Sequence, residues 1–145
     1  SDADFLMETD YSRWDGRLRA FLVNVFSKLI IRLFGESPEL NEILESRSGV
    51  WFRTFFGILA FSFWTQRSGD MFTSASNSIL NKFVSYCEAR ERRLEPVDSY
   101  LLPGIFGGDD GLAQCHLETL QRVCKYHGLN IKLNVVKCHD GDTNM

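Results

Sequence analysis

Four aspartates stand where short apolar runs end or turn. Asp10 follows the run Phe5 to Thr9, and Asp15 comes after it, the two bracketing Tyr-Ser-Arg-Trp. Asp109 and Asp110 lie inside Gly107-Gly108-Asp109-Asp110-Gly111. Carboxylates carried to one place by neighbouring strands form an oxygen site for a hard divalent cation. Mg²⁺ binds such oxygens at about 2.0–2.1 Å and keeps positions for water and phosphate. Two such ions roughly 3.5–4 Å apart can stabilise both the attacking and the leaving oxygen of a phosphoryl transfer. The flanking glycines let the backbone turn tightly enough to present both aspartates together. Taken singly these signals are ordinary, since an Asp-Asp pair in a glycine-rich turn is more often a solvated hairpin loop.

The middle of the chain adds a third feature. Arg67-Ser68-Gly69-Asp70-Met71-Phe72 places a small loop before a helical pattern that contains Thr73 and Asn77. Residues four apart share a helical face, so a hydroxyl and an amide face the same way and can read sugar hydroxyls. The plainer reading is a helix start capped by small polar residues.

In this order and at these separations the three features resemble the viral RNA-dependent RNA polymerase family. Asp10-Tyr-Ser-Arg-Trp-Asp15 is similar to its motif A, Ser68-Gly69 with Thr73 and Asn77 to motif B, and Gly108-Asp109-Asp110 to the GDD of motif C. The wording of these stretches is nearest to nodavirus-like and tombusvirus-like polymerases of positive-strand RNA viruses. The resemblance covers Asp10 to about Lys137. It implies that Asp10, Asp109 and Asp110 hold two Mg²⁺ ions, or Mn²⁺ in their place. It implies too that Asp15 and Asn77 read the ribose 2′-hydroxyl, with Thr73 supporting Asn77. Ser68 and Gly69 would shape the loop beside the template and the new base pair. A lysine of motif D, Lys132 or Lys137, would act as general acid towards pyrophosphate.

The resemblance implies RNA-directed RNA synthesis: two-metal transfer of ribonucleotides onto an RNA 3′-hydroxyl in viral genome replication. The implied partners are RNA template and nascent strand, ribonucleoside triphosphates, and the remaining fingers and thumb of the same polymerase. Residues 1–145 would be one palm segment, with a fingers insertion over roughly 16–66. The segment alone is expected to be inactive, because regions that grip triphosphate and duplex are not among these motifs. The implied location is host cytoplasm, at virus-induced replication membranes reached through other regions. A reverse-transcriptase-like palm and a catalytically silent palm used for binding share the same outline, and retention of all the acids speaks against the silent one.

Composition bounds the rest. The chain has 145 residues, 44% of them hydrophobic and 24% charged, enough for one domain with a real core. A net charge of −3 is unusual for a nucleic-acid binder, but suits a segment that supplies carboxylates for cations. Cys87, Cys115, Cys124 and Cys138 lack the close pairing of a zinc ribbon. Cys124, His127, Cys138 and His139 could make a zinc site, against the simpler reading of reduced thiols. No signal peptide opens the chain, and no apolar run reaches the roughly 18 residues of a membrane span.

The elements that must carry the motifs follow from periodicity. Phe5 to Thr9 reads as a buried strand, and 16–34 as a helix ended by Gly35. Ser37-Pro38-Glu39 reads as the start of a short helix to about Ser46. Val50 to Thr65 reads as a hairpin around Gly57, and Phe72 to Arg93 as a helix burying Ile79, Leu80, Phe83, Val84 and Cys87. Tyr100 to Phe106 reads as a strand entering the tight turn. A helix ended by Gly128 and a strand over Asn130 to Val136 complete the chain. The sum is an α+β palm, an antiparallel sheet with helices packed on one face.

Overall fold

The computed structural model describes residues 5–12, 14, 18–47, 49–63 and 72–136. In chain order they form strand β1 (Phe5–Tyr11), helices α1 (Ala20–Phe34) and α2 (Pro38–Ser46), and strands β2 (Gly49–Arg53) and β3 (Leu59–Phe63). Helices α3 (Thr73–Glu91) and α4 (Pro96–Leu101), strands β4 (Gly104–Gly107) and β5 (Asp110–Cys115), helix α5 (Leu117–His127) and strand β6 (Ile131–Val136) follow. The main sheet is antiparallel in the order β4-β5-β1-β6, and β2 and β3 pair separately.

Along β1, Met7, Thr9 and Tyr11 are buried while Glu8 and Asp10 are exposed. That period of two is what a sheet covered on one face imposes. The covered face meets a core in which Met7, Tyr11 and Trp14 join Leu22, Phe26, Leu80, Val84, Leu120 and Cys124. Tyr11 and Trp14 meet edge to face with ring centroids 4.4 Å apart. The open face carries Glu8 and Asp10 from β1 and Lys132 and Asn134 from β6.

The expected elements are present, with three differences. Helix α1 begins at Ala20 rather than Gly16, with Arg19 extended before it. The run from Tyr100 is not one strand: Pro96–Leu101 is a helical turn, and the strand starts only at Gly104. Pro96 presets the backbone at the first helical position, and Ser99 ties back to the Glu95 carbonyl through its Oγ at 2.8 Å. Proline at 103 stands immediately before the strand, where extended backbone resumes.

The third difference concerns α3. Leu80 and Val84 are buried as expected, but Ile79, Phe83 and Cys87 are only half-buried. Apart from Ala89, the rest of the buried face is polar: Ser76, Asn77, Asn81, Ser85 and Glu88. Buried polar groups persist where they are hydrogen-bonded. Glu88, 0% exposed, accepts from the His116 backbone N–H at 3.0 Å and pairs with Arg92 Nε at 2.9 Å. His116 is the residue before α5, so this carboxylate ties α3 to the entrance of the next helix. Removing one partner of a buried pair leaves the other charge uncompensated. Glu88→Ala is therefore expected to cost about 3 kcal/mol or more, read as a lowered midpoint in chemical denaturation; a wild-type midpoint would refute this role.

Candidate active site

The acidic turn is a two-residue hairpin. Gly107 pairs with Asp110, leaving Gly108 and Asp109 as the loop. Gly108 has φ +69°, the left-handed value that tight hairpin turns require and glycine supplies without strain. The next residue is constrained differently. A Cβ at Gly111 would lie 2.7 Å from Thr9 Oγ1, 3.1 Å from Asn81 Nδ2 and 3.2 Å from the Phe106 ring. Glycine is needed there because strand, helix and ring all approach the backbone.

The register then brings the chemistry-bearing residues to one end of the sheet. Thr9 lies opposite Gly111 in the β1–β5 pairing, and its hydroxyl donates to the Gly111 carbonyl at 3.2 Å. Asp10 is the next residue along β1, so continuing the same register sets it beside Asp110. On its other side Asp10 is paired with Lys132. Directly opposed side chains share a face with Cβ atoms about 4.5–5.5 Å apart. Asp10, Asp110 and Lys132 are exposed and Asp109 is half-buried.

Among the described residues no three Asp, Glu, His or Cys side chains gather closely enough to hold an ion, Asp10, Asp109 and Asp110 included. A closed cage is not what Mg²⁺ needs in phosphoryl transfer, where one or two carboxylates suffice and water and phosphate complete the shell. Oxygen donors from two adjoining strands at one exposed sheet end fit that requirement. Asp15, Ser68, Gly69 and Lys137 lie outside the described residues.

Thr73 opens α3 and Asn77 stands one turn further on, buried. Two neighbours of Asn77 were not singled out from the sequence. Asn81 Nδ2 reaches the carbonyls of Asp109 and Asp110 at 3.1 Å each and that of Gly108 at 3.5 Å. Ser78 Oγ accepts from the Gly108 N–H at 2.8 Å. The available signal was the spacing: Asn77 and Asn81 are four apart and so continue one face.

No family model matches the chain. It is 30% identical over 133 residues to the RNA-directed RNA polymerase of greasy grouper nervous necrosis virus, an alignment covering 88% of this chain and 14% of that protein. The polymerase of Pariacoto virus is 32% identical over 118 residues, covering 73% of this chain and 12% of that protein. The fold superposes on the crystal structure of the RNA-dependent RNA polymerase of a human picorbirnavirus with a TM-score of 0.72. There the identity is 18%, over 92% of this chain and 27% of the other. The chain is a homologue of viral RNA-directed RNA polymerases. The nodavirus-like side of the expected resemblance is the one that these relatives bear out. The chain spans only about a seventh of the length of the two sequence relatives, 14% and 12%.

In this chain an open cleft of about 720 Å³ adjoins the acidic end, lined by Ser12, Arg19, Lys125, Asn130 and Lys132 among others. Three of its side chains, Arg19, Lys125 and Lys132, are cationic. The zinc alternative finds less support. Cys124 is buried, and burial pushes its thiol up to about 12. His127 stacks on Phe21 with centroids 5.5 Å apart, and Cys138 and His139 lie outside the described residues. Burial also raises Cys87, to about 11. The thiolate is the reactive form, so both thiols should be alkylated at neutral pH far more slowly than a free cysteine. Peptide mapping after iodoacetamide treatment checks this; rapid labelling of Cys124 in the folded protein would contradict its burial.

Proposed function

We propose that this chain is the catalytic palm of an RNA-directed RNA polymerase that adds ribonucleotides to an RNA 3′-hydroxyl. The observation that carries the reading is the two-sided pairing of β1, with Thr9 against Gly111 and Asp10 against Lys132. It supports one site assembled from the start, the turn and the last strand of the chain. The relatives are named for RNA synthesis directed by RNA, which favours this reading over a reverse-transcriptase-like or a silent palm.

Asp10 and Asp109, with Asp110, would hold two Mg²⁺ ions. When bound, the ions supply charge stabilisation to the oxygens that attack and leave phosphorus. The chain's own residues do the rest. Asn77 and Asp15 hydrogen-bond near the ribose 2′-hydroxyl, with Thr73 in support, and Ser68 and Gly69 shape the loop beside the template. Lys132 stands on the open face beside Asp10 and lines the cationic cleft, a position suited to offering its proton to departing pyrophosphate. Lys137 is the alternative donor. Residues 16–66 act as a fingers insertion, and its β2–β3 hairpin carries Phe55 and Phe56, 99% and 86% exposed. The remaining fingers and thumb, the RNA strands and ribonucleoside triphosphates are the partners. The proposed location is the cytoplasm at replication membranes, with attachment outside this chain; among the described residues no helix is long and apolar enough to cross a membrane.

Two substitutions in the full-length polymerase test this. Asp109→Asn keeps an oxygen and the tolerance of turn geometry but loses the charge that adjacent dications require. Template-directed incorporation should fall by about a thousandfold or more, as when a charge-stabilising element is removed; near-wild-type synthesis would overturn the assignment. Asn77→Ala should lower the ratio of kcat/KM for ribo- over deoxyribonucleotides, because a site built for a hydroxyl rejects its absence through unpaired polar groups. An unchanged ratio removes Asn77 from sugar selection.

A further inference from the structure

The turn that presents Asp109 and Asp110 has almost nothing of its own to hold it. Gly107 and Gly108 bring no side chains, and a Cβ at either would meet nothing within 4 Å. Packing cannot fix the backbone here, and a two-residue loop with a glycine at its first position has several low-energy alternatives. The direction of each aspartate side chain follows from the φ and ψ of this loop.

Helix α3 supplies what packing does not. Ser78 Oγ donates to the Ser74 carbonyl at 2.8 Å while accepting the Gly108 N–H at 2.8 Å, so its rotor is fixed from both sides. Asn81 is 1% exposed. Its amide carries two hydrogens, and these meet the Asp109 and Asp110 carbonyls at 3.1 Å with Gly108 just beyond. Lys82 then donates to the Leu102 carbonyl at 2.9 Å, holding the approach to β4. An apolar residue at 81 would remove the helix's donor from both carbonyls.

We propose that Asn81 and Ser78 are positioning residues of this polymerase: they orient the metal-binding turn, and they tie it to the helix that carries Asn77. The inference rests on the palm reading above, and concerns neither ligand nor substrate contact. Outer partners of metal ligands act on affinity and activity through orientation. Here the outer partners hold the ligands' backbone.

The test uses the full-length polymerase with Asn81→Ala, Asn81→Asp and Ser78→Ala beside wild type and Asp109→Asn. Incorporation is followed against Mg²⁺ and Mn²⁺ concentration, with nucleotide KM, RNA Kd and Tm measured on the same proteins. Asn81→Ala and Ser78→Ala should lower kcat and raise the half-saturating Mg²⁺ concentration by about tenfold, with partial rescue at high metal, while RNA Kd is unchanged. Asn81→Asp should be at least as impaired, since its carboxylate would face carbonyl oxygens. Wild-type metal dependence in both alanine variants would overturn the proposal, as would losses that follow Tm alone without metal rescue. Should Asn81→Ala fail to fold, Ser78→Ala, whose side chain is only half-buried, carries the same comparison. An inert wild type, or an active Asp109→Asn, would instead overturn the palm reading itself.

Discussion

Three elements converge on the space a side chain would occupy at Gly111: the Thr9 hydroxyl of β1, the Asn81 amide of α3 and the Phe106 ring of β4. A methyl group there would meet an oxygen at 2.7 Å, closer than packed atoms tolerate, and something in the sheet or the helix would have to move. Much of the arrangement depends on this close approach. It lets α3 come near enough for Asn81 to reach the turn, and it lets the Thr9 hydroxyl bond to the Gly111 carbonyl. It also holds β1 in the register that carries Asp10 towards the turn.

The division of labour between sheet and helix follows. Pairing with a period of two decides which residues face open space, and a shift of one residue would bury Asp10 and expose Thr9. The sheet is therefore a reliable way to bring residues about a hundred positions apart onto one face. It does not fix a two-residue turn at its own end. That is left to α3, whose buried face mixes Leu80 and Val84 with Asn77, Asn81, Ser85 and Glu88. Hydrogen bonds have direction and apolar contacts do not. A polar stripe can therefore orient a glycine-rich turn where a leucine stripe could only cover it.

This difference explains what could be read from the sequence. Strand β1, helices α1 and α2, the Gly57 hairpin and the GDD turn were legible because each is signalled by apolar period, a cap or a glycine. Asp10, Asp109, Asp110 and Asn77 stand out as a set only through the resemblance that their order and spacing carry, and no single one of them would do so alone. Ser78 and Asn81 were not legible: the four-residue spacing puts Asn81 on the face of Asn77, but a buried serine or asparagine looks the same as a solvated one until its partner is placed. The helical turn at Pro96–Leu101 was missed because Tyr100, Leu101 and Leu102 resemble a strand by composition. The local bonds of Ser99, which composition does not reveal, decide otherwise.

The exposed face bears on how an acidic chain could serve the phosphate chemistry proposed above. Asp10 and Lys132 are cross-strand partners, and opposite charges so placed contribute only about 0.2–1 kcal/mol. A placement worth so little leaves the lysine uncommitted to the carboxylate. A dication at the carboxylates would compensate them more strongly, since its charge is doubled and its ligand distance is shorter. Lys132 would then be released towards the cleft it shares with Arg19 and Lys125, where anionic oxygens would be the better partner. In the function proposed above, the same lysine would stand beside the carboxylates and line the cleft that anionic product would enter, with no movement of the sheet.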